Sequence, residues 1–173
     1  YAKSIRLPKG LEARRESYVL KIYRPKAVLP PPKFSKQKLK VPGKTLVKKL
    51  NLKIETQIIE GKIVGLKEYI RNKDYTEEVI DLEKTQGPLV LRLRKFGDIF
   101  NPLGSRGKVK LKKFFIDNKV PKPVRDRVPI LTDNDKIVWV VGYRIGNDVK
   151  ITDETKRVLK LKVSRVDEEE TPE

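Results

Sequence analysis

Ile137-Val138-Trp139-Val140-Val141 is the most hydrophobic run of the chain, and four of its five residues are β-branched. A run so short and so rich in branched side chains reads as a strand. An apolar side chain at every position needs cover on both faces, so the run predicts a central strand with a layer on each side and Trp139 in the core. Working outward, Gly146-Asn147 lies between Tyr143-Arg-Ile145 and Val149-Lys-Ile151, a pattern that predicts a hairpin. Further on, Leu159, Leu161 and Val163 alternate with Lys160 and Lys162, as a half-buried strand does.

Upstream, the spacing of Leu111, Phe114, Phe115 and Asn118 predicts a helix over Lys108 to Val120, stopped by Pro121. Its two phenylalanines share an apolar face with Leu111, so they read as core rather than as stacking platforms. A further turn is expected from Pro123 to Arg127. Leu89, Leu91 and Leu93 point one way while Val90, Arg92 and Arg94 point the other, predicting a strand with a basic outer face. Strands are also expected at Ser17 to Arg24, around Leu50, Leu52 and Ile54, and over Ile58 to Leu66. Thr76 to Lys84 reads as a short strand or a helical turn, and Tyr69 to Tyr75 is ambiguous. The expected fold class is α+β: mostly β, a layered domain containing a β-sandwich with one main amphipathic helix.

The 173 residues carry 41 Lys and Arg against 23 Asp and Glu, a formal charge of +18. Such a field attracts polyanions, and nucleic acid ranks first among them. No stretch approaches the roughly 20 apolar residues of a membrane span. There is no Cys and no His, which excludes disulfides, thiol chemistry, zinc fingers and a Ser–His–Asp triad. No carboxylate cluster suggests a metal, and no nucleophile has an activating base. The chain opens on Tyr1 and contains no Met, as an excised or processed piece would.

The charge is unevenly placed. Residues 1–50 hold 15 basic and 2 acidic side chains, 51–100 hold 9 of each, and 101–150 hold 12 and 5. Three segments are expected: a basic, Pro-rich stretch over 1–45 with one strand, a domain over 46–165, and an acidic tail over 166–173. Leu29 to Gly43 holds three consecutive prolines and reads as an extended connection, either a basic arm on phosphates or a solvated linker.

Gly97 to Gly107 reads as a loop leading into the helix, where free N–H groups and the helix dipole can hold a phosphate, with Ser105, Arg106 and Lys108 as further donors. An ordinary strand-to-helix turn is the other reading. Gly104-Ser-Arg-Gly107 does not fit the nucleotide P-loop pattern. Asp98, Asp117 and Asp126 each have cations nearby and read as members of local ion pairs.

Four blocks carry a resemblance: Gly97-Asp-Ile-Phe-Asn-Pro-Leu-Gly104, Lys110-Leu-Lys-Lys-Phe-Phe-Ile-Asp-Asn-Lys-Val-Pro121, Arg125-Asp-Arg-Val-Pro-Ile-Leu131 and Ile137-Val-Trp-Val-Val-Gly-Tyr-Arg-Ile145. Val149-Lys-Ile-Thr-Asp-Glu-Thr-Lys156 continues it. In order and spacing they resemble the carboxy-terminal domain of bacterial tRNA(Ile)-lysidine synthetases, firmly over 89–163. The resemblance implies a fold related to a domain of the phenylalanyl-tRNA synthetase β subunit. It also implies a grip on the acceptor stem of tRNA(Ile), while an amino-terminal domain converts cytidine 34 to lysidine with ATP and lysine. That domain's Ser-Gly-Gly-x-Asp-Ser loop is not in this chain, so neither a catalytic residue nor a cofactor is expected here. The implied partners are tRNA(Ile), the catalytic domain and a possible second copy, in the cytoplasm and away from membranes.

The cations expected to touch RNA are Arg94, Lys95, Arg106, Lys108, Lys110, Lys112, Lys113, Lys119, Arg125 and Arg144. Where the family loop usually reads Gly-Asp-Arg, this chain has Gly97-Asp98-Ile99, so a basic contact is missing that Arg94, Lys95 or Arg106 would have to replace. A module that braces the catalytic domain or forms a dimer is the competing expectation, and it predicts an exposed apolar patch.

Overall fold

The structure, a computed structural model, describes residues 4–16, 19–24, 32–61 and 66–166. The chain divides into two compact units, Tyr1–Pro31 and Pro32–Glu173. The acidic tail beyond Val166 and the start of the Pro-rich stretch, 25–31, lie outside the described residues.

The first unit is a three-stranded antiparallel sheet of β1 (Ser4–Leu7), β2 (Leu11–Glu16) and β3 (Val19–Tyr23), in that order. Three strands stand where one was expected. Lys9 and Gly10, both at positive φ, turn β1 into β2. Ile5, Ala13 and Ile22 form one cross-strand row, and Leu20 shares the face of Ile22 by the two-residue repeat of a strand.

The second unit begins with β4 (Lys36–Lys38), β5 (Gly43–Val47) and β6 (Leu52–Glu60), followed by helix α1 (Leu66–Asn72), β7 (Glu77–Asp81) and β8 (Leu89–Arg92). A small hairpin, β9 (Ile99–Phe100) and β10 (Val109–Lys110), leads into α2 (Leu111–Asp117) and the single turn α3 (Lys122–Arg125). Strands β11 (Ile130–Asp133), β12 (Lys136–Val140), β13 (Arg144–Ile145) and β14 (Arg157–Arg165) complete it. The stretch expected to run as one segment to residue 45 therefore supplies β4 and part of β5 to this unit.

Two sheets form the sandwich. One has the order β13-β12-β11-β8-β4 and the other β5-β6-β14-β7. Leu89, Leu91, Leu131 and Trp139 of the first pack against Val47, Ile54, Ile80, Leu159 and Leu161 of the second. The opposite face of the five-stranded sheet offers Ile130, Ile137 and Val140, covered by Leu111, Phe114 and Phe115 of α2 with Phe100 and Val128. Strand β12 thus has a layer on each side, as its unbroken apolar run requires. Its pairing with β11 shifts register between Leu131 and Thr132. Such a bulge places an extra residue on one strand, and Ile137 and Val140, three apart, both reach the α2 layer.

Several expectations change. The helix begins at Leu111 rather than Lys108, because Val109 and Lys110 pair with Phe100 and Ile99. Asn118 is exposed and caps the helix end, its amide donating to the Phe114 carbonyl at 2.8 Å. Of the ambiguous stretch Tyr69 to Tyr75, residues 69–72 belong to helix α1, which begins at Leu66 where a strand was expected to end, and Thr76 to Lys84 is both things at once, β7 and then a 3-10 turn. Lys36 to Lys38 form an edge strand on β8, not a free arm.

Gly146-Asn147 is not a hairpin tip: Asn147–Val149 is a 3-10 turn, and Gly146 lies against β12. Its N–H donates to the Val138 carbonyl at 2.7 Å, and a Cβ there would sit 2.8 Å from the Ile137 carbonyl. The glycine answers to close approach of two backbones, not to turn geometry. Replacing Gly146 by Ala should therefore lower the denaturant midpoint clearly, whereas Gly107→Ala, with open space around its Cβ, should leave it nearly unchanged.

Candidate nucleic-acid interface

All ten expected cations lie between residues 94 and 144 on elements that touch one another. The organiser is Asp98. Its carboxylate takes two hydrogen bonds from the Arg92 guanidinium, 2.9 Å from Nη1 and 2.8 Å from Nη2, with both side chains nearly buried. It also accepts the Lys95 N–H at 2.7 Å, while its own carbonyl accepts the Leu111 N–H at 2.8 Å. One residue thus ties strand β8, the turn that follows it and the start of α2. The expected basic outer face on β8 is corrected accordingly: Arg92 is buried in this pair.

At the start of helix α2 one N–H of the expected phosphate site already has a partner. The Leu111 N–H is spent on Asp98, and a two-residue strand separates the loop from the helix. Nor is Ser105 free as a donor, since its hydroxyl lies 2.7 Å from the Gly107 carbonyl and 3.0 Å from Asn101 Oδ1, closing the loop on itself. The loop is fixed to the sheet by bonds from Leu103 N–H to the Ile145 carbonyl and from Asn147 N–H to the Asn101 carbonyl, 2.9 and 2.7 Å. The Arg144 guanidinium donates to the Leu103 carbonyl at 3.2 Å. The Tyr143 ring stands edge-on to Phe114 and Phe115, with centroids 6.5 and 6.1 Å away.

The ten cations divide into two groups. Arg94 pairs with Asp126, Lys95 with Asp135 at 3.2 Å, and Lys113 with Asp117 at 2.7 Å one helical turn on. Arg125 donates to the Val120 carbonyl, ending the chain's exit from α2, and Arg144 braces the loop. Arg106, Lys108, Lys110, Lys112 and Lys119 are exposed, and their side chains have no hydrogen-bond or ion-pair partner among the described residues. Charge supports this contrast, because residues 101–125 hold eight basic side chains and one acidic.

The outer face of the four-stranded sheet is different. There Lys44 and Lys53 lie near Glu55, and Lys160 and Lys162 share Glu77; at the sheet's end Arg157, the first residue of β14, pairs with Glu60. The Tyr69 hydroxyl donates to Glu77 at 2.8 Å, and Lys160 sits 5.0 Å from the Tyr69 ring centre, so this network holds α1 on the sheet. The Tyr69 hydroxyl holds the Glu77 carboxyl below the usual carboxylate range; burial opposes this, and the two lysines add to it. For Asp81 burial pushes the carboxyl up, but the Thr155 hydroxyl, Lys84 and the Glu83 N–H together bring it below its ordinary value.

Two features escaped sequence reasoning. Lys48, Lys49, Arg127 and Arg165 line one cleft of about 470 Å3, although they are spread over more than a hundred residues of chain. Only the Lys48-Lys49 doublet signals it. Phe96 stands fully in solvent at the tip of the Lys95–Asp98 turn; an aromatic beside a glycine and two cations is the signal that could have found it. Among the described residues, no group of His, Cys, Asp and Glu could hold a metal ion.

Comparison with known proteins bears on the same region. Residues 89–163 match the TilS substrate C-terminal domain. A tRNA(Ile)-lysidine synthase of Caldanaerobacter subterraneus subsp. tengcongensis is 35% identical over 164 residues, covering 95% of this chain and 34% of that protein. One of Clostridium tetani is 42% identical over 101 residues, 58% of this chain and 22% of that protein. The chain therefore spans about a third or less of these relatives. A crystal structure of a TILS C-terminal domain superposes with a TM-score of 0.62 at 26% identity, covering 76% of this chain and 97% of that one. An N-terminal fragment of the phenylalanyl-tRNA synthetase β subunit from Pyrococcus horikoshii shares the fold, with a TM-score of 0.52 at 16% identity, covering 67% of this chain and 40% of that one.

Two outcomes test the electrostatics. Asp98→Ala leaves a buried guanidinium unpaired and should cost about 3–5 kcal/mol in denaturant unfolding, whereas Asp117→Ala, in an exposed pair, should cost less than about 0.5 kcal/mol. Glu77 and Asp81, with folded pKa values below the unfolded ones, stabilise the fold fully above pH of about 4.5 and lose this as pH falls through the folded values. Acid unfolding curves should show that loss, and Glu77→Gln should flatten it. In its sequence blocks and its sandwich, residues 89–163 of this chain belong to the TilS substrate C-terminal domain family, and the chain is similar to the corresponding part of tRNA(Ile)-lysidine synthases.

Proposed function

We propose that this chain is the tRNA-binding carboxy-terminal part of a tRNA(Ile)-lysidine synthetase, holding the acceptor stem by its sugar–phosphate surface. On this reading a catalytic domain elsewhere in the enzyme converts cytidine 34 to lysidine with ATP and lysine, in the cytoplasm. The observation that carries the reading is the unmatched charge of Arg106, Lys108, Lys110, Lys112 and Lys119, set against the matched lysines of the four-stranded sheet. A protein that leaves cations exposed without partners keeps them available for an anion, and an RNA stem presents phosphates and 2′-hydroxyls while its deep groove hides the base edges. Hydrogen bonds that pin the 101–108 loop fix the backbone that carries Arg106 and Lys108 in advance, so little backbone ordering remains for the binding step.

A second reading rests on a separate observation. Ile5, Leu20 and Ile22 of the first unit are 64, 63 and 58% exposed on one sheet face, the apolar patch expected of a bracing or dimerising module. Sizing the chain alone, across a concentration series, tests it: a mass that stays monomeric throughout removes the dimer.

For the RNA reading, affinity for tRNA should fall roughly a hundredfold or more between about 50 and 200 mM salt if about five phosphates are met. Replacing Arg106, Lys108, Lys110 and Lys112 together by Ala should reduce the salt slope by about 3, at unchanged melting temperature. A flat salt response of the parent chain would remove the mechanism.

A further inference from the structure

Phe96 is the one phenylalanine of five that the fold leaves in water. Phe100, Phe114 and Phe115 are buried and Phe34 packs on the sandwich core, but Phe96 is 107% exposed. Its position is not the accident of a loose loop. The turn around it is closed by the Asp98 N–H to the Lys95 carbonyl at 3.4 Å and by the Lys95 N–H to the Asp98 carboxylate at 2.7 Å. Gly97 takes φ +84°, a conformation that a side-chain-bearing residue adopts only with strain. Behind the turn stands the buried Arg92–Asp98 pair, and Asp98 also anchors the first residue of α2. The backbone ordering that presents this ring is therefore supplied by folding.

The surroundings indicate what the ring meets. A protein partner would need an apolar patch around its anchor residue. Here the sequence neighbours are Arg94, Lys95, Gly97 and Asp98, and the nearest exposed apolar side chain along the chain is Ile99, 52% exposed. Ile99 in turn pairs across the hairpin with Lys110, one of the unmatched cations. A lone aromatic carried on a hydrogen-bonded turn suits a nucleobase, whose face stacks on the ring while a neighbouring phosphate meets the unmatched Lys110 across the hairpin. Bases inside a duplex are already stacked on both faces, so the base must be unpaired.

We propose that Phe96 is a stacking platform for an unpaired nucleotide adjoining the RNA stem, such as a single-stranded 3′ extension. The inference rests on the RNA-binding reading and adds a contact to a base face where that reading has only phosphate contacts.

The test uses the whole chain and two end-labelled RNA hairpins with the same stem, one blunt and one with a four-nucleotide 3′ extension. Phe96→Ala and Phe96→Leu should each weaken binding of the extended RNA about tenfold, the scale of base–aromatic stacking, and of the blunt RNA less than twofold. Phe96→Trp should keep the affinity, and its added exposed indole should be quenched by the extended RNA. The salt slope should stay the same in all three, because no charge changes. Equal affinity of the parent and Phe96→Ala for the extended RNA would overturn the platform while leaving the phosphate reading intact. Equal losses on both RNAs would also overturn it. If the parent binds neither RNA at low salt, both readings fall together.

Discussion

The five-stranded sheet must be covered twice. Its strand β12 is apolar at every position from Ile137 to Val140, and a strand of that kind is stable only with dry layers on both sides. The four-stranded sheet supplies one layer through Leu159, Leu161 and their neighbours, and α2 supplies the other through Leu111, Phe114 and Phe115. Every element of the candidate interface hangs on the second layer. The β9–β10 hairpin, the loop between its strands, α2 and α3 are all held by that apolar contact or by bonds to the sheet beneath it. A seven-residue helix has little stability of its own, so its lysines have fixed positions only because its other face is buried.

Asp98 converts this packing into a defined surface. A buried carboxylate and guanidinium contribute little net stability compared with an apolar pair of the same volume, yet losing either one alone is costly. Such a pair specifies geometry more than it adds strength. Here it determines where the chain leaves β8, how the Lys95–Asp98 turn is shaped, and where α2 begins. The same contact takes up one of the N–H groups at the start of α2, that of Leu111, inside the protein.

The cations show how much charge alone can mislead. On the four-stranded sheet two glutamates, Glu55 and Glu77, are each shared by two lysines, and the field of those lysines is partly cancelled at short range. Between residues 106 and 119 the lysines and the arginine have almost no acidic neighbours, so their field reaches solvent. Composition counts both groups alike, and only cross-strand register distinguishes them. Lys162 and Glu77, for instance, are far apart in sequence yet opposite each other in the sheet.

What the sequence alone determined are the features governed by nearest neighbours along the chain. The alternation in β14, the continuous apolar run of β12, the Leu111, Phe114 and Phe115 face of α2 and the stop at Pro121 were all legible, because side-chain period and proline chemistry are local. The ordered blocks from 89 to 163 carried the family as well. What only the tertiary structure decided are the features set by distant partners. Gly146 looks like a turn residue until β12 comes within a Cβ's reach of it. Arg92 looks exposed until Asp98 folds back over it. Lys108 looks helical until Val109 and Lys110 find a strand to pair with. In each case a contact beyond the reach of helix or strand periodicity outweighs a local preference worth about 1 kcal/mol or less, and the cations left unpaired by those contacts are what shape the candidate site.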